Sequence, residues 1–295
     1  MMKYVFVGCL ALLLCACHQG NAPVDNTPAQ SASSAVTISA GTTGIDEDHP
    51  DEITPPRSAA QLSADMLDKV LASSARGDDA RKLDDVRHPR GTLGFFGLRP
   101  DMNVIEIGTD NGWYAAILAP LLKDDGTYTV ALLSPLSSKK GATAMQSLRR
   151  QFGAHPDLFG RARLASYDAH TPNLGTPGSA DMVLAFRQVH AWVAAGTQAA
   201  MFHAIHDVLR PGGVFGVVVN RAPDDADADD LEGKPYVRKA DVTKWAQQAG
   251  FELDATSSIN ANPDTVGIRD KAPDDTDRMT LRFVKPIKPA RAASV

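Results

Sequence analysis

The stretch VIEIGTDNGWYAAILAPLL, residues 104–122, decides the fold. Val104, Ile105 and Ile107 make an apolar, strand-like run that closes on an acid and a glycine, Glu106 and Gly108. Thr109-Asp110-Asn111-Gly112 then reads as a tight turn, and an apolar helical pattern begins at Trp113. A strand, a glycine-bearing loop and a helix start form a corner suited to a nucleotide or cofactor. The helix start offers unpaired N–H groups, and glycine lets a ligand approach the backbone.

Outward from this corner the chain alternates. Strands are predicted at 128–133, 163–166, 180–186, 214–219, 251–257 and 279–284, and helices at 142–152, 197–209 and 241–250. Upstream, residues 58–76 carry Leu62, Met66, Leu67, Val70 and Leu71 at helical spacing, followed by a charged stretch that closes on Leu93, Phe95 and Phe96. Arg210-Pro211-Gly212-Gly213 reads as a helix stop. Nearly continuous apolar strands alternating with helices predict an α/β fold, Rossmann-like, with a mostly parallel sheet and helices on both faces. One domain, 58–286, accounts for these elements, with a flexible tail at 287–295.

The first seventeen residues, MMKYVFVGCLALLLCAC, read as a targeting segment. Their apolar run is short for a membrane span, and Leu14-Cys15-Ala16-Cys17 resembles a bacterial lipobox in which Cys17 is lipidated. All three cysteines (Cys9, Cys15, Cys17) lie here, so the rest of the chain has no disulfide, thiolate metal site or cysteine nucleophile. Residues 18–57 are rich in Ala, Ser, Thr, Asn, Gly and Pro with an acidic end, a composition that predicts a disordered tether. The expectation is a lipoprotein on the periplasmic side of a bacterial envelope, held to the membrane through Cys17. The net charge of −5 and pI near 5.9 argue against a general nucleic-acid binder. The arginines at 149, 150, 161 and 163 read as a solvated face.

The ordered set RHPRGTLGFFG, EIGTDNGWYAAILAPLL, ADMVLAF, FRQVHAW, LRPGGVFGVV, AGFEL, SINANP and DRMTLRFVKP resembles class I S-adenosylmethionine-dependent methyltransferases. More narrowly it looks like a group of bacterial, often exported, predicted methyltransferases, and the resemblance runs from about Arg87 to Pro286. It implies a seven-stranded sheet whose last strand is antiparallel, with adenosylmethionine across the strand carboxyl ends and a small-molecule methyl acceptor. By position, Glu106, Gly108 and Gly112 would line the methionine part of the cofactor, with Asp110 in the same loop. Ser134 follows the second strand and Asp168 the third, near the ribose and the adenine. Arg187, Gln188 and His190 follow the fourth strand, at the edge of the reaction centre.

The chain departs from the family pattern in three places. Asp110 stands where the loop usually has glycine, Ser134 where an acid grips the ribose hydroxyls, and the fifth strand ends VVVNRA where a polar VVDHRA-like ending is expected. Losing the ribose contact costs on the order of 1.5–3 kcal/mol. His190 is the candidate general base, with Arg187 orienting an anionic group; alternatively His190 packs against Trp192. His203 and His206 read as surface or packing residues, and Asp224, Asp225, Asp227, Asp229 and Asp230 as a solvated loop rather than a calcium site. Asn260, Asn262 and Arg278 either line a substrate pocket or order their own loop. Two functions follow: an envelope-anchored methyltransferase, or a non-catalytic lipoprotein on the same fold that binds another ligand or a protein.

Overall fold

The computed structural model describes residues 58–109, 111–266 and 274–287. The targeting segment with Cys17, the tether, Asp110 and the tail beyond residue 287 lie outside the described residues. Helix α1 (Ala59–Leu71) opens on a capping box, in which the Gln61 N–H donates to the Ser58 hydroxyl at 3.2 Å and the Ser58 N–H to the Gln61 side chain at 2.8 Å. It stops short of the expected Arg76, and a 3-10 turn covers Ser74–Arg76. The charged stretch that follows is helical: α2 (Asp78–Lys82), α3 (Asp84–Arg87) and α4 (Pro89–Phe96). Its charges explain this. Asp78 and Asp79 sit in the first turn of α2 and Arg81 and Lys82 in its last, each complementing the helix dipole. Pro89 starts α4, and Gly97 ends it with a left-handed backbone at φ 76°.

Strand β1 (Asn103–Ile107) then leads into α5 (Ala115–Leu122), which begins two residues later than the sequence pattern. After it come β2 (Thr127–Leu133), α6 (Lys139–Ala154), α7 (Pro156–Phe159), β3 (Arg163–Tyr167) and β4 (Ala180–Phe186). The chain continues through α8 (Val189–Ala194), α9 (Gln198–Val208), β5 (Leu209–Asn220), α10 (Ala228–Leu231), α11 (Lys239–Gln248), β6 (Glu252–Ser257) and β7 (Arg278–Val284). The Arg210–Gly213 segment ends α9 as expected but belongs to β5. The pairing with β4 jumps from Ala180↔Leu209 to Met182↔Val214, so these residues bulge out of the ladder.

The seven strands form one sheet in the order β3-β2-β1-β4-β5-β7-β6. All neighbours are parallel except β7, which runs antiparallel to both β5 and β6. The mostly parallel Rossmann-like sheet with an antiparallel last strand is therefore as expected. Side chains alternate between faces, and each face is covered by helices. Ile105 and Ile107 join one cluster with Phe202 of α9, Val242 of α11 and Trp192 of α8. Val104 lies in the other with Leu118 of α5, Leu148 of α6 and Phe96 of α4. Both clusters consist of fully buried aliphatic and aromatic groups, each worth about 1.5–3 kcal/mol of transfer free energy. This fixes the sheet as a rigid floor, and what varies is the set of loops at its carboxyl edge.

Candidate functional site

At that edge β1 ends and the Gly108 N–H continues the ladder to the Ala131 carbonyl at 2.8 Å. The loop beyond needs left-handed backbone at three places: Gly108 (φ 65°), Asn111 (φ 53°) and Gly112 (φ 75°). Asparagine is among the few side-chain residues that tolerate this region, so the turn keeps its shape. Tyr114 caps α5 with no side-chain hydrogen bond, leaving the helix start without a side-chain acceptor.

Glu106 is 1% exposed, and alternation along β1 places it on the Val104 face, where the Tyr128 hydroxyl donates to its Oε2. Burial first, and the Glu106 charge second, push the Tyr128 hydroxyl well above its ordinary pKa. Glu106 thus acts from beneath the loop, with a partner that sequence position did not reveal. Ser134 is committed to its own turn: its N–H donates to the Tyr167 carbonyl at 2.8 Å and its hydroxyl accepts from the Leu136 N–H at 3.2 Å. Asp168 folds the next loop, with Oδ1 accepting from the N–H groups of His170 at 2.9 Å and Thr171 at 3.1 Å. Those bonds lower its pKa and keep it ionised.

Arg187 follows Phe186 with a left-handed backbone (φ 56°), its N–H bound to the Val218 carbonyl at 2.7 Å. Next to it, the Gln188 amide lies over Gly108: a Cβ there would meet it at 2.6 Å. Gln151 of α6 covers Gly112 in the same way, at 2.5 Å. His190, in the first turn of α8, is half-buried. Burial above all, then the charges of Arg187 and Lys140, depress its pKa to about 4, so the imidazole is neutral at neutral pH. Its Nδ1 is buried with no hydrogen-bond partner, as is the Thr109 hydroxyl in the glycine loop.

Arg187 and Arg278, both singled out in the sequence, are joined by Arg87, which was not. Arg87 forms a two-pronged pair with Asp274, at 2.9 and 3.0 Å. Arg187 and Arg278 come within 3.8 and 3.7 Å of the same carboxylate. All three act on the buried Tyr114 hydroxyl, which also feels Glu106 and stacks on Phe186 at 3.6 Å. Trp113 anchors the group, with Arg87 and Arg76 over its ring and its indole N–H bonded to the Ala80 carbonyl at 2.9 Å. The signal for Arg87 lay in the RHPRG motif; Asp274 carried none.

The other candidates are structural. Asn260 donates to the hydroxyls of Thr92 in α4 and Thr280 in β7, and Asn262 to the Asp275 carbonyl, so these side chains tie the SINANP loop to distant elements rather than to its own backbone. Asn220 at the end of β5 accepts from Thr276. His206 lies 3.8 Å from Asp207, and among the described residues no acid, histidine or cysteine cluster could hold a metal. A cavity of about 350 Å³, reached by Asn103, Thr129, Arg163 and Ser179, lies at the opposite end of the strands and faces none of these groups.

The fold has counterparts among solved structures. The fold is that of the class I methyltransferases. A SAM-dependent methyltransferase from Aquifex aeolicus is similar at TM-score 0.51 and 12% identity, over 75% of this chain and 98% of that one. The cyclase SpnF is similar at TM-score 0.50 and 17% identity, over 78% and 97% of the two chains. No protein-family model matches the sequence, and no curated protein matches it. Likeness at this identity extends to the fold and not to the chemistry.

Tested for a cofactor at this corner, the residues offer a shaped backbone and orphaned polar groups, with two side chains in the way. The loop has the left-handed turn a close approach requires, and two buried polar atoms beside it, on His190 and Thr109, have no partner. What fills the cradle is the far end of two flexible glutamine side chains, which a rotamer change removes.

Proposed function

We propose that the folded domain is an S-adenosylmethionine-dependent methyltransferase acting on a small-molecule acceptor. In this reading it is carried on a lipid anchor at Cys17, on the periplasmic side of a bacterial envelope. The observation that carries the enzymatic part is the Gly108–Gly112 turn at the carboxyl end of β1, with the orphaned His190 Nδ1 and Thr109 hydroxyl beside it. Gly108 and Gly112 would admit the cofactor to the backbone, with Glu106 supporting the loop from below and Asp168 placed for the adenine. When bound, the cofactor supplies an electrophilic methyl group for in-line displacement, a reaction that depends chiefly on alignment in a dry pocket. His190, neutral at neutral pH, is placed to accept a proton from the acceptor, and Arg187 to orient it.

One observation favours the second reading, a non-catalytic envelope protein. The protein's own Gln188 and Gln151 lie against the two glycines, and Ser134 replaces the ribose acid. Calorimetric titration of residues 58–295 with adenosylmethionine and its demethylated product decides between them. Micromolar binding weakened by Asp168→Ala supports the enzyme; no binding at millimolar cofactor rejects it in favour of the second reading. Mass spectrometry of the mature N-terminus tests the anchor, and an unmodified Cys17 rejects it.

A further inference from the structure

The cavity at the amino ends of the strands belongs to no part of the proposed cofactor site. Asn103, Thr127 and Arg163, each the first residue of its strand, line it together with Thr129. The register sets Asn103 beside Thr127, and Ile105, Thr129 and Arg163 in one row across β1, β2 and β3, so all five share one face of the sheet. A parallel sheet covered on both sides is normally apolar on both faces. Here the same face is core further along, at Ile107, Ala131 and Tyr167, and turns polar only beside the cavity.

The cavity comes from the connection between β3 and β4, residues 168–179, which forms neither helix nor strand. Its own bonds hold it in place: Asn173 Oδ1 accepts from the Gly175 N–H at 3.0 Å, and the Gly178 N–H donates to the Asp207 carbonyl at 2.9 Å. The space of about 350 Å³ has Ile105, Leu174 and Ala180 as its apolar wall. Small-molecule sites begin at about 300 Å³. Its polar groups are set up to donate. The Thr127 hydroxyl donates to Asn103 Oδ1 at 2.8 Å, which leaves the N–H groups of that amide for a ligand. The Arg163 guanidinium makes no ion pair or hydrogen bond among the described residues, and no acid lines the cavity.

We propose that this cavity binds a small organic carboxylate, its charge on Arg163 and Asn103 and a compact apolar body over Ile105 and Leu174. A single guanidinium balances a monoanion, and its fork matches the two oxygens of a carboxylate. The five residues of β1, at about 3.3 Å each, separate the cavity from the Gly108–Gly112 turn. Its occupant is therefore a second ligand rather than the methyl acceptor, and the site stands whether or not the domain is a methyltransferase.

The test titrates para-fluorobenzoate into the full chain and follows it by fluorine NMR at constant ionic strength. Para-fluorobenzyl alcohol is the uncharged control, and circular dichroism checks the folding of each variant. Saturable binding of the benzoate is expected, about fivefold or more tighter than that of the alcohol and weakened about fivefold or more by Arg163→Gln. Ser179→Phe, which fills the cavity from the exposed connection, should abolish it. A response that does not saturate, or binding that either variant leaves unchanged, overturns the site. Equal binding of the alcohol overturns the carboxylate as its ligand. If Ser179→Phe does not fold, Arg163→Gln alone decides.

Discussion

His190 makes a quantitative prediction about acid stability. Its pKa falls from 6.5 to about 4 in the folded protein, chiefly because burial penalises the imidazolium and secondarily because Arg187 and Lys140 repel it. The sign follows directly. Above about pH 7 both folded and unfolded chains carry a neutral imidazole, and the residue contributes no pH dependence. As the pH falls from about 6.5 toward 4, the unfolded chain binds a proton that the folded one refuses, so the folded state loses stability. The full shift of roughly 2.5 units corresponds to about 3.4 kcal/mol, of which about 2 kcal/mol has been lost by about pH 5. His190→Gln removes this dependence. Comparing urea unfolding of the two proteins at about pH 7 and pH 5 should therefore show the wild type falling by about 2 kcal/mol more than the variant, or about 4–8 °C in melting temperature. The imidazole proton resonance should titrate near 4. Equal losses in the two proteins, or a midpoint near 6.5, would refute the account of how His190 is buried. The same shift bears on catalysis: a base with this pKa stays available throughout the neutral range, so an activity profile limited by His190 loses its acid limb only near pH 4.

Three further outcomes can be checked. Tyr128→Phe removes a hydroxyl donor from the buried Glu106 carboxylate and should cost about 1.5–3 kcal/mol in urea unfolding; a loss below about 0.5 kcal/mol would mean the hydroxyl is not a real partner. Gln188→Ala clears the face of Gly108 at the cost of one modest hydrogen bond to the Phe186 carbonyl, so calorimetric affinity for adenosylmethionine should rise about threefold to tenfold. A weaker affinity would make Gln188 part of the cofactor's own grip, and an unchanged one would refute its role as an obstruction. Asn260→Ala should destabilise the domain by about 1–3 kcal/mol, by orphaning contacts to Thr92 and Thr280, and leave cofactor affinity unchanged.

The fold was legible because its signals are local. Strands β1, β2 and β4 are mainly apolar runs of five to seven residues, and the glycines at 108 and 112 announce a turn that other residues would strain. The helices from Asp78 to Phe96 were not legible as such. Their stability comes from charges at the ends of short turns and from packing against α5's neighbourhood, neither of which leaves an apolar period in the sequence. The site was half legible for the same reason. Glu106, Arg187 and His190 sit next to recognisable strand ends. The partners that determine their behaviour are far away in sequence: Tyr128 is 22 residues from Glu106, and Asp274 is 187 residues from Arg87.

Those distant partners bear on how the corner works. Losing the ribose acid at Ser134 and displacing Gln188 and Gln151 both weaken the grip on the cofactor, the first by on the order of 1.5–3 kcal/mol and each glutamine by about one modest hydrogen bond. In the proposed enzyme neither change reaches the acceptor side, where Arg187 follows β4 on a rigid sheet edge. Weak cofactor binding together with measurable methyl transfer is therefore the combination expected of a working enzyme with a poor hold on its cofactor, and absence of both is the combination expected of a scaffold.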